Sequence, residues 1–377
     1  MAQSQQRILD SHIHLWPQTA TSPTDHGWMQ AGHFLAKQHG ISDYLSIATP
    51  PPTGFIYVET DRYLPSPAPP SDITPTSSSA NIKQGLAQWA KQPLEEVRFL
   101  GRIAECQPAD GDGFSTAGQA AKMKGCVIYA PFHLPTPVFQ AYLEMAEEVA
   151  GPALWGRVVG FRYLLQGKGE GVVAGMLERD QASWVSNLGM LRRGRGGRGW
   201  CFDVGVDVQR DGYGPMEAVG RLIERVRESE RREGVGEGKG VRFVLNHLAK
   251  HPLTPSPPTT PNPTWLTALS AFKPDPLIFM KFSGAFNEFT TPTPEDVPTL
   301  LTALEPLLDH VFHCFPNRVM FGSDWPVCNV GGPKGEAGNW TLWREVVEAY
   351  LEGKGMSAEV REGVWWRVAE VAYGVEV

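Results

Sequence analysis

Asp10-Ser-His12-Ile-His14 stands almost at the start of the chain and carries residue types at a spacing that a metal site or a hydrolytic centre needs. Side chains two apart on a strand point to the same face, so His12 and His14 can aim two imidazoles at one point. Simple alternation puts Ile8, Asp10, His12 and His14 on one face and Leu9, Ser11, Ile13 and Leu15 on the other. The first face turns polar toward its C-terminal end and the second is apolar apart from Ser11. That is the pattern of a buried strand opening into a polar site. The competing reading is two ordinary polar residues at a strand end, and the rest of the chain must decide between them.

Other ionisable residues fall at the ends of apolar runs. Val241-Arg-Phe-Val-Leu-Asn-His247 is an apolar strand ending in a histidine, and Arg318-Val-Met-Phe-Gly-Ser-Asp324-Trp-Pro runs through Gly322 and Ser323 to present a carboxylate. Glu59, Arg162 and Lys281 occupy similar positions. Each has a structural alternative. His247 could bond a loop, Asp324 could cap the segment that follows, and Arg162 and Lys281 could form salt bridges at the strand ends. Branched apolar side chains fill most barrel interiors, so this many charged strand ends are hard to explain as packing.

The elements that must position these residues alternate. Expected strands are Ile8–His14, Gly54–Glu59, Phe99–Glu105, Val158–Leu164, Trp200–Val206, Val241–His247, Leu277–Ser283 and Arg318–Asp324. Amphipathic stretches lie between several of them, among them Pro137–Ala150, Met216–Glu230, Pro294–Phe312 and Leu342–Leu351. Strand–helix alternation argues for a parallel sheet, and eight units argue for a closed barrel, whose active site would lie at the C-terminal ends of the strands. No Gly-x-Gly-x-x-Gly follows a strand, so a dinucleotide fold has no support. The chain of 377 residues exceeds the roughly 250 that such a barrel needs. It reads as one domain carrying insertions at about 61–84, 107–157, 190–199 and 251–263, three of them rich in Pro, Ser and Thr or in Gly and Arg.

Composition narrows the partners. A net charge of −7 with no long basic run argues against nucleic acid, the Gly/Arg-rich stretch Arg192–Arg198 being the one exception. No apolar stretch reaches the roughly 20 residues that span a bilayer, and the first seven residues lack an apolar signal region, so a cytoplasmic protein is expected with no membrane partner. Five scattered cysteines suggest reduced thiols, with Cys126 and Cys201 in the core. A homo-oligomer is left open.

Five pieces in sequence order resemble the amidohydrolase-related ("amidohydrolase 2") family, and within it the sugar-lactonase branch. They are Leu-Asp-Ser-His12-Ile-His14-Leu-Trp16, Gly160-Phe-Arg162-Tyr-Leu-Leu-Gln166, Asn246-His247-Leu-Ala-Lys250-His-Pro252, Lys281-Phe-Ser283-Gly284 and Met320-Phe-Gly-Ser-Asp324-Trp325-Pro326-Val. They span nearly the whole chain, and the last is the most specific; Trp28, in Asp25-His-Gly-Trp28, resembles the aromatic loop of the same branch. The resemblance implies an α/β fold, a distorted (β/α)8 TIM barrel closed by a C-terminal helix around Trp365-Trp366, and hydrolysis of a lactone such as L-rhamnono- or L-fucono-lactone. The family's first-strand histidine pair, sixth-strand histidine and eighth-strand aspartate map onto His12, His14, His247 and Asp324. The fifth expected strand offers no histidine and the fourth carries Arg162 rather than a lysine, so a two-metal site is not implied. His-Leu-Ala-Lys-His-Pro also has one residue more than the usual motif, which blurs the role of Lys250.

On that basis Asp324, His247, His12 and His14 are the expected catalytic residues, Asp324 as general base. His12, His14, Asp324 and Glu59 are the expected ligands should one divalent ion, zinc or manganese, be bound; no organic cofactor is expected. Without an ion, the histidines and Arg162 would stabilise the developing oxyanion. Arg162, Lys281, Trp16, Trp28 and Trp325 are the expected substrate contacts, the indoles by stacking on an apolar sugar face. Two alternatives stand beside the lactonase: a decarboxylase of an aromatic or unsaturated acid on the same fold, and a non-catalytic barrel that binds sugar acids.

Overall fold

Eight strands run in one parallel sheet in the order of the sequence: β1 (Leu9–Ile13), β2 (Gly54–Val58), β3 (Met123–Tyr129), β4 (Val158–Arg162), β5 (Cys201–Val204), β6 (Arg242–Leu245), β7 (Ile278–Phe282) and β8 (Val319–Phe321). This is a computed structural model, which describes residues 6–71 and 73–377. Most of the polar N-terminal stretch read above, residues 1–5, lies outside the described residues, as does Asp72 of the first expected insertion. The ring closes where Ile13 bridges Trp325, with the His14 N–H donating to the Trp325 carbonyl (2.7 Å) and the Asp324 N–H to the His12 carbonyl (2.8 Å). Closure therefore runs through the residues expected to do chemistry. No described helix is long and apolar enough to cross a membrane.

Each strand sends residues to the two faces by its own pleat. Leu9, Ile56, Val58, Val127, Val159, Cys201, Val244, Phe279 and Met320 form one buried cluster drawn from every strand, which makes it the barrel interior. Val368, Ala369, Ala372 and Tyr373 of the last helix, Val368–Tyr373, join that cluster and plug its floor, as the resemblance implied. The opposite faces (Tyr57, Ile128, Phe161, Phe243, Phe282) pack under the surrounding helices.

Two expectations are corrected. Phe99–Glu105 is not a strand but the end of a helix, Lys91–Glu105, whose buried Leu94, Val97, Leu100 and Ile103 recur at helical spacing. The third strand is Met123–Tyr129, so the 107–157 segment is not an addition beside the barrel. It supplies β3 and the helix that follows, Thr136–Trp155. The remaining seven expected strands overlap the observed ones.

The other loops are tied down. The Pro-rich loop is held by the Trp89 indole N–H on the Ser66 carbonyl (2.9 Å) and by His133 Nε2 at the Pro67 carbonyl (2.9 Å). In the Gly/Arg-rich loop the Arg195 guanidinium donates to the Tyr373 and Gly374 carbonyls (2.6 and 2.9 Å), latching it to the floor helix. All five cysteines are free thiols, and Cys126 and Cys201 are buried.

Candidate active site

A bulge in β1 builds the site. Its pairing with β2 shifts register between Asp10 and Ile13, and the shift reverses which residues face inward. Leu9 points into the interior and Ile13 into the outer layer. Asp10, expected on the histidine face, is instead turned outward. There its carboxylate accepts from the Ser323 N–H (2.8 Å), the Tyr44 hydroxyl (2.7 Å), the Trp340 indole (3.3 Å) and the His12 N–H (3.3 Å). Asp10 thus staples β1 to β8 and holds the bulge that aims both histidines into the mouth. Burial raises its carboxyl above the usual range.

His12, His14, His247 and Asp324 meet there. Asp324 Oδ1 lies 3.6 Å from His12 Nε2, 3.4 Å from His14 Nε2 and 3.7 Å from His247 Nε2. The two strand-β1 imidazoles face each other Nε2 to Nε2 at 3.1 Å. All four residues are buried, and Asp324 Oδ2 has no hydrogen-bond partner. Strained backbone delivers two of them: Asp324 has φ +60° and His247–Lys250 are four consecutive left-handed residues, φ +53° to +56°. Gly284 makes room for His247, since a Cβ there would stand 2.4 Å from its Nδ1.

Each imidazole is held at its far nitrogen. His14 Nδ1 meets the Val58 carbonyl (2.8 Å), His247 Nδ1 meets Ser283 Oγ (2.8 Å) and His12 Nδ1 meets Lys281 Nζ (3.1 Å). Burial pushes His247 down to about 3 and His12 well below the ordinary histidine range, with Lys281 the next cause for His12. Both rings are therefore neutral near neutral pH. Burial alone would raise Asp324, but His247 and then His14 outweigh it and hold the carboxyl at about 2. Asp324 is a carboxylate with a bare oxygen beside the neutral rings of His12 and His247.

A cavity of about 690 Å³ opens over this cluster. His14, His247, Asp324 and Arg162 are in its wall, with Trp16, Trp28 and His33 along one side and Phe286, Phe289 and Val327 along another. Trp28 is fixed by its indole N–H on the Thr60 carbonyl (2.9 Å) and Trp16 by its indole on the Lys37 carbonyl (2.6 Å). The cations at the wall carry their own carboxylates: Arg162 Nε on Glu59 (2.5 Å), Lys250 on Glu288 (3.0 Å) and Arg210 on Asp207 (3.4 Å). Asp61 also faces the cavity, and burial together with the neighbouring Glu59 carboxylate raises it to about 6.

Three expected site residues stand elsewhere. Glu59 does not reach the cluster, because its carboxylate is taken by Arg162 and by the Asp61 N–H (2.6 Å). Trp325 does not line the cavity; its ring is buried 5.4 Å from His39 and 5.3 Å from Tyr44. Lys281 lies beneath the histidines with no exposure, bonded to Asp203 (2.6 Å) and His12, out of a substrate's reach. Asp203 and Tyr373, whose hydroxyl donates to Asp203 (2.9 Å), were not singled out in the sequence. An aspartate within the apolar run Trp200–Val206 was the available signal. Among the described residues, His12, His247 and Asp324 present ligand atoms within 4.8 Å of one another. Two imidazoles and a carboxylate with an unpartnered buried oxygen fit a zinc- or manganese-type ion.

A parallel ring with imidazoles and a carboxylate at its C-terminal mouth defines the class, a (β/α)8 barrel with a polar site where such barrels carry theirs. Comparison with known proteins agrees. A family profile described as amidohydrolase matches residues 238–375. It is 25% identical over 382 residues to an L-rhamnono-gamma-lactonase of Scheffersomyces stipitis, covering 99% of this chain and 100% of the relative. It is 32% identical over 106 residues to an L-fucono-1,5-lactonase of Burkholderia ambifaria, covering 28% of this chain and 33% of the relative. The fold matches an amidohydrolase of Burkholderia multivorans solved with HEPES (TM-score 0.63, 20% identity, 98% of this chain and 100% of that one). A zinc-bound crystal structure of the amidohydrolase from that organism matches with TM-score 0.59 at the same identity and coverage.

Proposed function

We propose that the protein is a hydrolase that opens a sugar-derived lactone, an aldonolactone such as L-rhamnono-1,4-lactone, to the sugar acid. The observation that carries this reading is the bare, ionised Asp324 oxygen at the cavity floor with three imidazole Nε2 atoms around its partner oxygen. The two lactonase relatives support the substrate class. Cations already paired with carboxylates suit a neutral polyhydroxylated ring, and the Trp16–Trp28 side offers an apolar face for it to stack on.

Lactone opening is acyl transfer to water. Asp324 takes a proton from the attacking water as its oxygen bonds the carbonyl carbon. His247, in the cavity wall, donates from Nε2 to the carbonyl oxygen as it becomes an oxyanion. The ring C–O bond then breaks, and Asp324 returns the proton to the leaving alkoxide. Arg162, which lines the cavity and is paired with Glu59, bonds substrate hydroxyls in this reading. His12, His247 and Asp324 would hold a divalent ion, with His14 beside them and Glu59 excluded; when bound, such an ion would acidify water and polarise the carbonyl.

The test is a panel of aldonolactones, neutral and dicarboxylated, followed by proton release. Release from neutral lactones is expected. Carbon dioxide released from an aromatic acid, with no lactone consumed, would point to a decarboxylase and overturn the reading.

A further inference from the structure

The charged side chains of the cavity wall are paired, with one exception. Arg162, Lys250 and Arg210 each hold a carboxylate, and Asp324 sits against the imidazoles. Asp61 lines the same cavity and is exposed. Neither of its carboxylate oxygens has a hydrogen-bond or ion-pair partner among the described residues. Lys168, a nearby cation, lies instead over the Tyr163 ring (5.3 Å).

The backbone that presents this carboxylate is strained and pinned. Asp61 has φ +52°, a left-handed conformation that aspartate tolerates and most residues avoid. Its N–H donates to Glu59 Oε2 (2.6 Å). On both sides the chain is tied to Glu96, a fully buried carboxylate on the helix Lys91–Glu105. Thr60 donates to it from its N–H (3.0 Å) and its hydroxyl (2.5 Å), and Arg62 from Nε (3.4 Å). Thr60 also carries the aromatic wall, because its carbonyl accepts the Trp28 indole N–H (2.9 Å). One residue therefore fixes the spacing between a stacking face and a bare carboxylate.

We propose that Asp61 is the specificity-determining residue that reads the hydroxyl pattern of the substrate. An ionised carboxylate only accepts, and it has two oxygens to accept with. A lactone ring stacked on Trp28 turns its hydroxyls outward at the ring edge. Two adjacent ring hydroxyls, those on C2 and C3 of a 1,4-lactone, each donate to one Asp61 oxygen, and hydrogen bonds to a charged acceptor are the strong kind. The same charge opposes a lactone that bears its own carboxylate. Asp61 thus selects neutral, vicinally hydroxylated lactones, while the bond that breaks stays at Asp324. The assignment deepens the lactonase reading and rests on it.

Proton release is followed with L-rhamnono-1,4-lactone, its 2,3-dideoxy analogue and a dicarboxylated lactone, using wild type and two variants. Asp61→Gly removes the carboxylate and suits the left-handed backbone, and Asp61→Asn keeps the shape and removes the charge. Wild type should favour the hydroxylated lactone over the dideoxy one. Asp61→Gly should cut that preference in kcat/KM by about 10–100-fold, chiefly through KM. Asp61→Asn should narrow the preference for neutral over dicarboxylated lactone by about 10-fold. A preference left intact in folded Asp61→Gly would overturn the proposal and leave lactone hydrolysis standing. Binding of 1,4-anhydro-L-rhamnitol, which has the ring and its hydroxyls but no carbonyl, is measured by calorimetry on the same proteins. Binding about 10-fold or more weaker in Asp61→Gly would support the assignment even if no lactone were turned over. Equal binding by the two proteins, or none by wild type, would contradict it.

Discussion

At the floor of the barrel the strands contribute Leu9, Val127, Val159, Val244 and Met320, sealed from below by Ala369, Ala372 and Tyr373. At the mouth the same strands end in His12, His14, Arg162, His247 and Asp324. The floor is close-packed, apolar and regular. The mouth has buried charges, one of them with an unpartnered oxygen, and left-handed backbone at Asp324 and His247–Lys250. Each such backbone position costs roughly 1–3 kcal/mol. The floor and the outer layer thus supply the stability on which the mouth depends. Lys281, Asp203 and Tyr373 form the seam between the two, where a charge pair set into the interior reaches from the plug to a histidine.

Substitutions at each end should separate the two properties. The largest effect is expected from Asp324→Asn, which removes the proposed base and should lower turnover by about 10²–10⁴-fold while the protein still unfolds cooperatively, read by steady-state rates and urea titration. Leu9→Ala, at the floor, should do the reverse. It should cost about 2–5 kcal/mol of unfolding free energy with kcat within a few-fold of wild type, provided the rate is taken well below the midpoint. If Leu9→Ala silenced the enzyme without destabilising it, the division between floor and mouth would fail. Trp28→Ala should raise KM by about 10-fold and leave kcat nearly unchanged, since it removes a stacking wall far from the bond that breaks.

The smallest effect is a pH dependence. Asp61 is raised from 3.8 to about 6 in the folded protein, so between those values the native state holds the proton more tightly than the unfolded chain. Its contribution to stability therefore declines as pH rises through that window. Asp61→Asn should be neutral near pH 4 and stabilising by about 1 kcal/mol above pH 6, a figure reduced for solvent at the mouth. Urea midpoints at the two pH values measure it, and an equal effect at both would remove Asp61 from the account.

Much of the mouth was legible in the sequence because charge at the end of an apolar run is a local signal. His247 and Asp324 needed only their own strands to be noticed. What failed was decided by distant partners or by backbone irregularity. Alternation placed Asp10 with the histidines, and the β1 bulge moved it to the other face. Glu59 looked free for a metal until Arg162, 103 residues away, took its carboxylate. Lys281 lay at a plausible strand end but a layer too deep, which depends on stagger around the ring, and Trp325 packs into the outer layer against His39 and Tyr44. The third strand was lost because Phe99–Glu105 is apolar enough to imitate a strand, although its burial recurs at helical spacing.

The central claim is that Asp324 activates a water that attacks the lactone carbonyl. A single turnover of L-rhamnono-1,4-lactone in H2 18O, with enzyme in excess, tests it most directly. The claim predicts one 18O in the product carboxylate and none in the protein. Unlabelled product with 18O in the Asp324 carboxylate would make Asp324 a nucleophile and contradict it.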